Sequence, residues 1–294
     1  MANLPHHPGD RMSPFSPDHP GAAWALLTQA QRDAAYNNSA AVADSAQHVA
    51  VRNAASAAWR SAERHHLDLP YGPSAREAWD IYPANDPAAP CFVFIHGGYW
   101  QMNARENFAC LAKGLLAHGW SVAMPGYTLA PEANLARIAD EITRALDWLA
   151  GHGRRYGAGG KVVVSGWSAG GHLAALALDH PTVYAGLAIS GVYELAPLRD
   201  TYLDKKLALS DREIETLSPL RLPVVGKPLV IAYGSAELPA LVEDARAFHA
   251  KRAAAHAPGA LLPIPRADHY TVLDQIAAAD GMLTRAALEL ARDF

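Results

Sequence analysis

The sequence has few cysteines, and this limits the kinds of protein that it can encode. Only two occur among the 294 residues, Cys91 and Cys110, and neither lies in a C-x-x-C motif or a ligand-like cluster. A disulfide framework is therefore not expected, and a reducing compartment is the default. Cys91 begins a hydrophobic run, so we interpret it as a small residue of the core.

Long hydrophobic runs and concentrations of positive charge are also missing. No stretch reaches the roughly 20 apolar residues that a transmembrane helix needs. The formal net charge is −4, and no run of lysine or arginine stands out. We therefore expect neither a membrane nor a nucleic-acid partner. Residues 1–20 are rich in proline and lack the apolar segment of a signal peptide, which predicts a flexible lead-in and a cytoplasmic protein.

From residue 78 onwards, short and long hydrophobic segments alternate. Runs rich in β-branched or aromatic residues predict strands at Ala78–Tyr82, Cys91–Ile95, Ser121–Met124, Lys161–Ser165, Leu187–Ser190, Leu229–Tyr233 and Leu261–Ile264. Ala- and Leu-rich stretches predict helices at Glu106–His118, Ala133–Leu149, Ala169–Leu178 and Leu238–His256. This alternation favours an α/β fold with a mostly parallel sheet and helices on both faces. Little sequence separates the first strands, which makes them candidates for antiparallel pairing.

The remaining segments fit around a single domain at residues 21–294. An Ala-rich stretch at residues 21–64 has helical periodicity, interrupted at Asn37-Asn38-Ser39, and predicts an N-terminal helical extension. Residues 191–227 form a long irregular insertion, which is typical of a small cap over a functional site. Open α/β sheets bind ligands beyond the carboxyl ends of their strands, so the residues that follow each strand are candidates for that site.

A candidate nucleophile follows the predicted strand at Lys161–Ser165. The segment Gly166-Trp167-Ser168-Ala169-Gly170 matches G-x-S-x-G, the nucleophile elbow of the α/β-hydrolase fold, and leads into an apolar helix. The glycines leave room for a tight turn that holds the Ser168 hydroxyl above the sheet. The first amides of the helix then face the negative charge that develops during attack. So short a pattern also arises by chance, but the strand before it and the helix after it favour Ser168 as the nucleophile.

A second glycine motif follows the predicted strand at Cys91–Ile95. In His96-Gly97-Gly98-Tyr99-Trp100, two successive glycines allow the backbone to turn its N–H groups towards a substrate oxygen. Gly97 and Gly98, together with the amide of Ala169, are the predicted oxyanion hole. An ordinary tight turn would use the same glycines, but the order and separation of the two motifs favour the oxyanion hole. We interpret His96 as structural.

A serine hydroxyl needs a base to become a nucleophile, and in this fold the chain order is serine, acid, histidine. His269, the last histidine of the sequence, follows the last predicted strand and is the candidate base. Glu237 follows the strand at Leu229–Tyr233, where the acid that orients the imidazole is expected. Glu243 and Asp244 lie further along the next predicted helix and remain alternatives for the acid.

Several of these segments resemble one known family. His96–Gln101 is similar to the H-G-G-Y-W motif of kynurenine formamidases (arylformamidases), which belong to the hormone-sensitive-lipase-like esterases. Gly126–Glu132 is similar to the Y-T-L-A-P segment that those enzymes carry after the next strand. Further segments resemble the family at Ser190–Leu195, Ser218–Leu220 and Tyr36–Asn38. The resemblance therefore extends over nearly the whole chain after residue 30.

The resemblance also implies catalytic residues, position by position. The family's nucleophile falls on Ser168, its histidine on His269 and its catalytic aspartate on Glu237, where this sequence departs from the family. The family often reads D-S-P-E-F at this place with Q-S soon after, whereas this chain has Glu237–Leu241 and then Asp244-Ala245. These departures lie beside the acid and weaken the claim to the family's own substrate.

The resemblance implies a serine hydrolase that cleaves an aryl formamide such as N-formylkynurenine through an acyl-enzyme, with no metal or organic cofactor. Aromatic residues beside the motifs are the candidates for substrate binding: Tyr99, Trp100, Tyr127 and Trp167. Aromatic residues also flank most hydrophobic pockets, so they add little independent support. A broad-specificity carboxylesterase that uses the same residues is the alternative, and a non-catalytic ligand-binding protein is a remote one. The expected partner is a small-molecule ester or amide, and a homodimer is left open.

Overall fold

An eight-stranded sheet forms the centre of the computed structural model, which describes residues 24–62 and 64–292. The strands follow one another across the sheet in the order β1-β2-β4-β3-β5-β6-β7-β8. They are β1 (His66–Pro70), β2 (Ala78–Tyr82), β3 (Cys91–Ile95), β4 (Ser121–Pro125), β5 (Val162–Trp167), β6 (Val183–Ile189), β7 (Leu229–Gly234) and β8 (Gly259–Ile264). The predicted lead-in at residues 1–20 lies outside the described residues.

Most of the sheet is parallel. β1 pairs antiparallel with β2, and β2 pairs antiparallel with β4. Every neighbouring pair from β4 across to β8 is parallel. The predicted α/β class with a mostly parallel sheet is therefore confirmed, and the antiparallel pairs lie among the first strands.

The predicted strands correspond to β2–β8, with differences at their ends. β6 begins at Val183 rather than at Leu187, and β8 begins at Gly259 rather than at Leu261. The sequence does not predict β1, because its residues are only half-buried or exposed, it ends in proline, and Asp68 within it has a positive φ of 57°. An edge strand of this kind lacks the hydrophobic run that marks the buried strands.

Helices cover both faces of the sheet. In chain order they are α1 (Gln29–Ala35), α2 (Asn38–Ala41), α3 (Ser45–Ala62), α4 (Ala112–Leu116), α5 (Leu135–His152), α6 (Ala169–Ala177), α7 (Asp204–Leu207), α8 (Asp211–Leu217), α9 (Pro239–Ala254), α10 (Asp274–Ala277) and α11 (Met282–Leu290). One hydrophobic cluster packs α5, α6 and α9 on the sheet, and a second packs α4, α10 and α11 on the opposite face. The central strands are covered on both sides, which is why they are continuous hydrophobic runs such as Cys91–Ile95. Cys91 is fully buried, as predicted.

The insertion at residues 191–227 is more regular than the sequence suggests. It contains the 3₁₀ helix Ala196–Asp200 followed by α7 and α8. The N-terminal helices contact it, since Trp24 Nε1 donates to Asp200 Oδ2 at 2.9 Å and the backbone N–H of Tyr202 donates to Asp33 Oδ1 at 2.8 Å. Its role as a cap stays a prediction. Over residues 24–62 and 64–292, none of the helices has the length and apolar character needed to cross a membrane.

Candidate active site

Ser168 lies at the sharp turn between β5 and α6. Its backbone has φ 58° and ψ −120°, a conformation that is strained for a residue with a side chain. The turn is held by a hydrogen bond from the Ser168 N–H to the Ile189 carbonyl at 2.8 Å, at the end of the neighbouring strand β6. Ala169 is the first residue of α6, where backbone N–H groups have no acceptor within the helix. This is the geometry that the sequence predicts for a nucleophile elbow.

His269 and Glu237 form a buried pair beside this turn. His269 Nδ1 lies 2.9 Å from Glu237 Oε2, and both residues are less than a tenth exposed. Trp167, the residue before Ser168, donates from Nε1 to the His269 carbonyl at 2.8 Å, and the centroids of the two rings lie 4.7 Å apart. The loop that carries the predicted base is therefore fixed directly to the turn that carries the predicted nucleophile. In the tautomer that donates from Nδ1 to Glu237, Nε2 has a free lone pair, as a general base needs.

The second oxygen of Glu237 has two further donors. Oε1 accepts hydrogen bonds from the Ser190 hydroxyl at 2.5 Å and from the Gly234 N–H at 2.7 Å. Ser190 directly follows β6 and has a positive φ of 50°. The sequence assigned Ser190 no role at the site, although it lies at the carboxyl end of a strand, where such residues occur.

The two alternative acids lie on α9. Asp244 accepts from the backbone N–H groups of Tyr193 and Glu194 at 2.5 and 3.2 Å. It therefore holds the start of the 191–227 insertion. Among Glu237, Glu243 and Asp244, Glu237 is the carboxylate that bonds His269 in the part of the chain that the structure describes.

Both glycines of the predicted oxyanion hole are in tightly packed positions, and Gly97 lies against the nucleophile turn. A Cβ on Gly97 would lie 2.5 Å from the Trp167 carbonyl and 3.0 Å from Ser168 Cβ, so this position accepts only glycine. Gly98 has φ 118°, a region that other residues rarely adopt, and a Cβ there would clash with the Met102 carbonyl. The close approach of this loop to Ser168 brings together the residues of the predicted hole, Gly97, Gly98 and Ala169.

Three side chains hold the glycine loop by its carbonyl groups. His96 Nδ1 lies 3.0 Å from the Gly97 carbonyl, and Asn103 Nδ2 donates to the same oxygen at 3.1 Å. The Tyr127 hydroxyl donates to the His96 carbonyl at 2.9 Å. Burial lowers the pKa of His96 to about 3, so its imidazole is neutral and Nδ1 acts as a donor. The structural role that the sequence suggests for His96 fits these contacts.

Arg76 holds two of these supports in place, and no sequence signal identifies it. Its Nε donates to the Tyr127 carbonyl at 2.8 Å, and its Nη2 donates to the Asn103 carbonyl at 2.5 Å. One guanidinium thus fixes both segments that orient the glycine loop.

The four aromatic residues predicted to bind substrate are all buried beside the site. Their exposed fractions are 7% for Tyr99, 0% for Trp100, 0% for Tyr127 and 3% for Trp167. Tyr127 stacks on His96 with a centroid separation of 4.2 Å, and Trp100 packs edge-on against His172 at 4.9 Å. These contacts give the rings structural roles, and their contact with a substrate stays a prediction. No group of three or more potential metal ligands is placed together within the described ranges.

Comparisons with known proteins find hydrolases that are similar to this chain. The BD-FAE family model matches residues 79–180, which include both glycine motifs. The kynurenine formamidase of Danio rerio is 24% identical over 259 residues, which cover 83% of this chain and 87% of that protein. Esterase LipC of Mycobacterium tuberculosis (strain ATCC 25618 / H37Rv) is 27% identical over 71% of this chain and 61% of that protein.

A solved structure extends the similarity to the fold as a whole. A candidate thioesterase from Silicibacter sp. TM1040 superposes with a TM-score of 0.79 at 28% identity, over 87% of this chain and 98% of that chain. The predicted resemblance to kynurenine formamidases and related esterases is therefore confirmed, as is the prediction of a hydrolase.

Proposed function

We propose that this chain, a serine hydrolase similar to kynurenine formamidases and related esterases, cleaves an aryl formamide such as N-formylkynurenine. The observation that carries the proposal is the His96–Trp100 loop, which packs Gly97 against Ser168 in a chain similar to a kynurenine formamidase over most of its length. Residues 191–227 and the N-terminal helices would cover the site as a cap on a single domain.

The proposed reaction begins with proton transfer from Ser168 to His269 Nε2. The serine oxygen attacks the formyl carbon, and the amides of Gly97, Gly98 and Ala169 hold the oxyanion. Glu237 stabilises the imidazolium through Nδ1. His269 then gives its proton to the nitrogen as the C–N bond breaks, the aryl amine leaves, and water releases formate from the serine by the same route.

A broad-specificity carboxylesterase is the second candidate, and the esterase relatives favour it. The same residues would carry out ester hydrolysis, with an alcohol as the leaving group. The residues around Glu237 differ from the formamidase pattern, which also keeps this candidate open.

Steady-state hydrolysis of N-formylkynurenine beside 4-nitrophenyl acetate separates the two. We expect kcat/KM for the formamide of about 10⁴ M⁻¹s⁻¹ or more, the ordinary range for a natural substrate. Ser168→Ala is the control and should abolish both activities. Fast ester cleavage with a negligible formamide rate would favour the esterase, and activity that survives Ser168→Ala would rule out Ser168 as the nucleophile.

A further inference from the structure

The segment Tyr36–Ser39 bridges the two loops of the candidate active site. The Tyr99 hydroxyl, one residue after Gly98, donates to the Tyr36 carbonyl at 2.8 Å. Ser39 Oγ lies 2.9 Å from the hydroxyl of Tyr270, one residue after His269. The segment therefore extends from the residue after Gly98 to the residue after His269. No step of the proposed reaction involves this segment.

Asn38, at the centre of this segment, has a fixed orientation. Its side chain is buried, and Nδ2 lies 3.1 Å from the Tyr99 hydroxyl oxygen. Burial holds the pKa of Tyr99 well above its usual value, so the hydroxyl keeps its single hydrogen, which is used on the Tyr36 carbonyl. The Tyr99 oxygen must therefore accept, and Asn38 Nδ2 must be the donor.

This orientation leaves Asn38 Oδ1 as an acceptor without a donor. The atom is buried and makes no hydrogen bond to any residue within 24–62 and 64–292. Buried polar atoms are nearly always paired, so an unpaired acceptor at this place indicates that its donor comes from outside residues 24–62 and 64–292. Asn38 lies between Tyr36, which bonds Tyr99, and Ser39, which bonds Tyr270, so such a donor would enter between the glycine loop and the loop that carries His269.

We propose that Asn38 Oδ1 accepts a hydrogen bond from the N–H of the scissile amide, and that this contact favours amides over esters. The inference rests on the proposed function. When His269 protonates the nitrogen of the tetrahedral intermediate, the nitrogen lone pair must face the imidazolium, which turns the N–H hydrogen away from it. That hydrogen needs an acceptor on the other side, whereas an ester oxygen carries no hydrogen there.

A substrate pair that differs only in this atom tests the proposal. Formanilide and phenyl formate share the acyl and aryl groups, and the full-length protein is assayed with both by release of formate. Asn38→Ala should lower the ratio of kcat/KM for formanilide to that for phenyl formate by about tenfold, the loss expected for one hydrogen bond. The matched control is Asn37→Ser, since Asn37 caps α2 through the Ala40 N–H and serine preserves a cap. Its ratio should stay within about twofold of the wild type.

Asn38→Asp adds a test in which the proposed acceptor stays in place. It keeps the Oδ acceptor and loses the donor to Tyr99, so the ratio should remain closer to the wild type than in Asn38→Ala. A ratio as low as that of the alanine variant would overturn the proposal. Equal losses on both substrates in Asn38→Ala would also overturn it, because they would mean that Asn38 only supports the loop.

The wild-type rates distinguish failure of this inference from failure of the proposed function. If the wild type cleaves phenyl formate but not formanilide, the formamidase proposal is wrong and the inference falls with it. If the wild type cleaves both substrates and the ratio does not respond to Asn38→Ala, only the role of Asn38 is wrong.

Discussion

Both carboxylate oxygens of Glu237 accept hydrogen bonds, and their partners determine how the amide of a glutamine would be oriented at this position. Oε1 faces two donors, the Ser190 hydroxyl and the Gly234 N–H, while Oε2 faces His269 Nδ1. In Glu237→Gln the amide oxygen must take the side with two donors, so the NH₂ group faces the imidazole. That group donates to Nδ1 and places the imidazole hydrogen on Nε2, where the base needs a lone pair.

We therefore expect Glu237→Gln to lower kcat by a factor on the order of 10³–10⁴, the scale of loss when the acid of such a triad becomes an amide. Steady-state rates on the preferred substrate at pH 7 measure this loss. The circular dichroism spectrum should match that of the wild type, because the hydrogen-bonding shape is preserved. A rate within about tenfold of the wild type would show that Glu237 is not the acid.

Asp244→Asn is the matched control for this substitution. Asp244 is the alternative acid on α9, and an asparagine oxygen can still accept from the Tyr193 and Glu194 N–H groups. Its kcat should therefore stay within a few-fold of the wild type. A large loss of kcat in Asp244→Asn and no loss in Glu237→Gln would mean that Asp244, and not Glu237, is the acid.

At the scale of elements, His172 ties the helix after the nucleophile to the insertion at residues 191–227. It lies on α6, and its Nε2 is 2.7 Å from the carbonyl of Leu217 at the end of α8. Burial lowers the pKa of His172 from 6.5 to about 4, partly offset by the hydrogen bond to Leu217. The folded protein therefore keeps this imidazole neutral where the unfolded chain would protonate it.

The depressed pKa of His172 predicts a loss of stability on acidification. The contribution is fully present above pH 6.5, falls as the unfolded state takes up a proton, and is lost by about pH 4. A proton that binds only the unfolded state lowers the free energy of unfolding by about 1.4 kcal/mol per pH unit. The free energy of unfolding of the wild type should therefore fall by about 2 kcal/mol more than that of His172→Gln between pH 7 and pH 5. Glutamine retains a donor for Leu217 and does not titrate. Urea unfolding at both pH values measures the difference, and equal losses in the two proteins would contradict the assignment.

The sequence could predict the elements whose motif lies within one continuous stretch of residues. β5, the turn at Ser168 and α6 form one continuous pattern, and β3 leads directly into Gly97 and Gly98. Contacts made only by tertiary packing leave no such pattern. The hydrogen bond from Ser190 to Glu237 joins residues that are 47 positions apart in the sequence, and the one from Asn38 to Tyr99 joins residues that are 61 positions apart. The edge strand β1 could not be predicted for a different reason, because it has no buried hydrophobic run.

At the scale of the whole molecule, one buried carboxylate joins the N-terminal helices to the sheet. Asp80 lies on β2 and is fully buried, with ion pairs to Arg60 on α3 and to Arg105, whose Nε is 3.0 Å from Oδ1. Asp68 on β1 also pairs with both arginines, but its side chain is 64% exposed. The helical extension is therefore tied to the sheet through a charge that water does not reach.

This arrangement predicts that the extension and the sheet unfold together, as they would if the predicted single domain at residues 21–294 is correct. Asp80→Asn leaves two guanidinium groups without their buried partner and should lower the free energy of unfolding by about 3–5 kcal/mol. Asp68→Asn removes an exposed partner and should cost about 1 kcal/mol or less. Urea unfolding followed by far-UV circular dichroism and by tryptophan fluorescence should give coincident curves for both variants. A separate early unfolding step could instead appear in the circular dichroism curve and move to a different urea concentration in Asp80→Asn, while the fluorescence curve does not move. That result would mean that the N-terminal helices unfold independently and are not part of one domain.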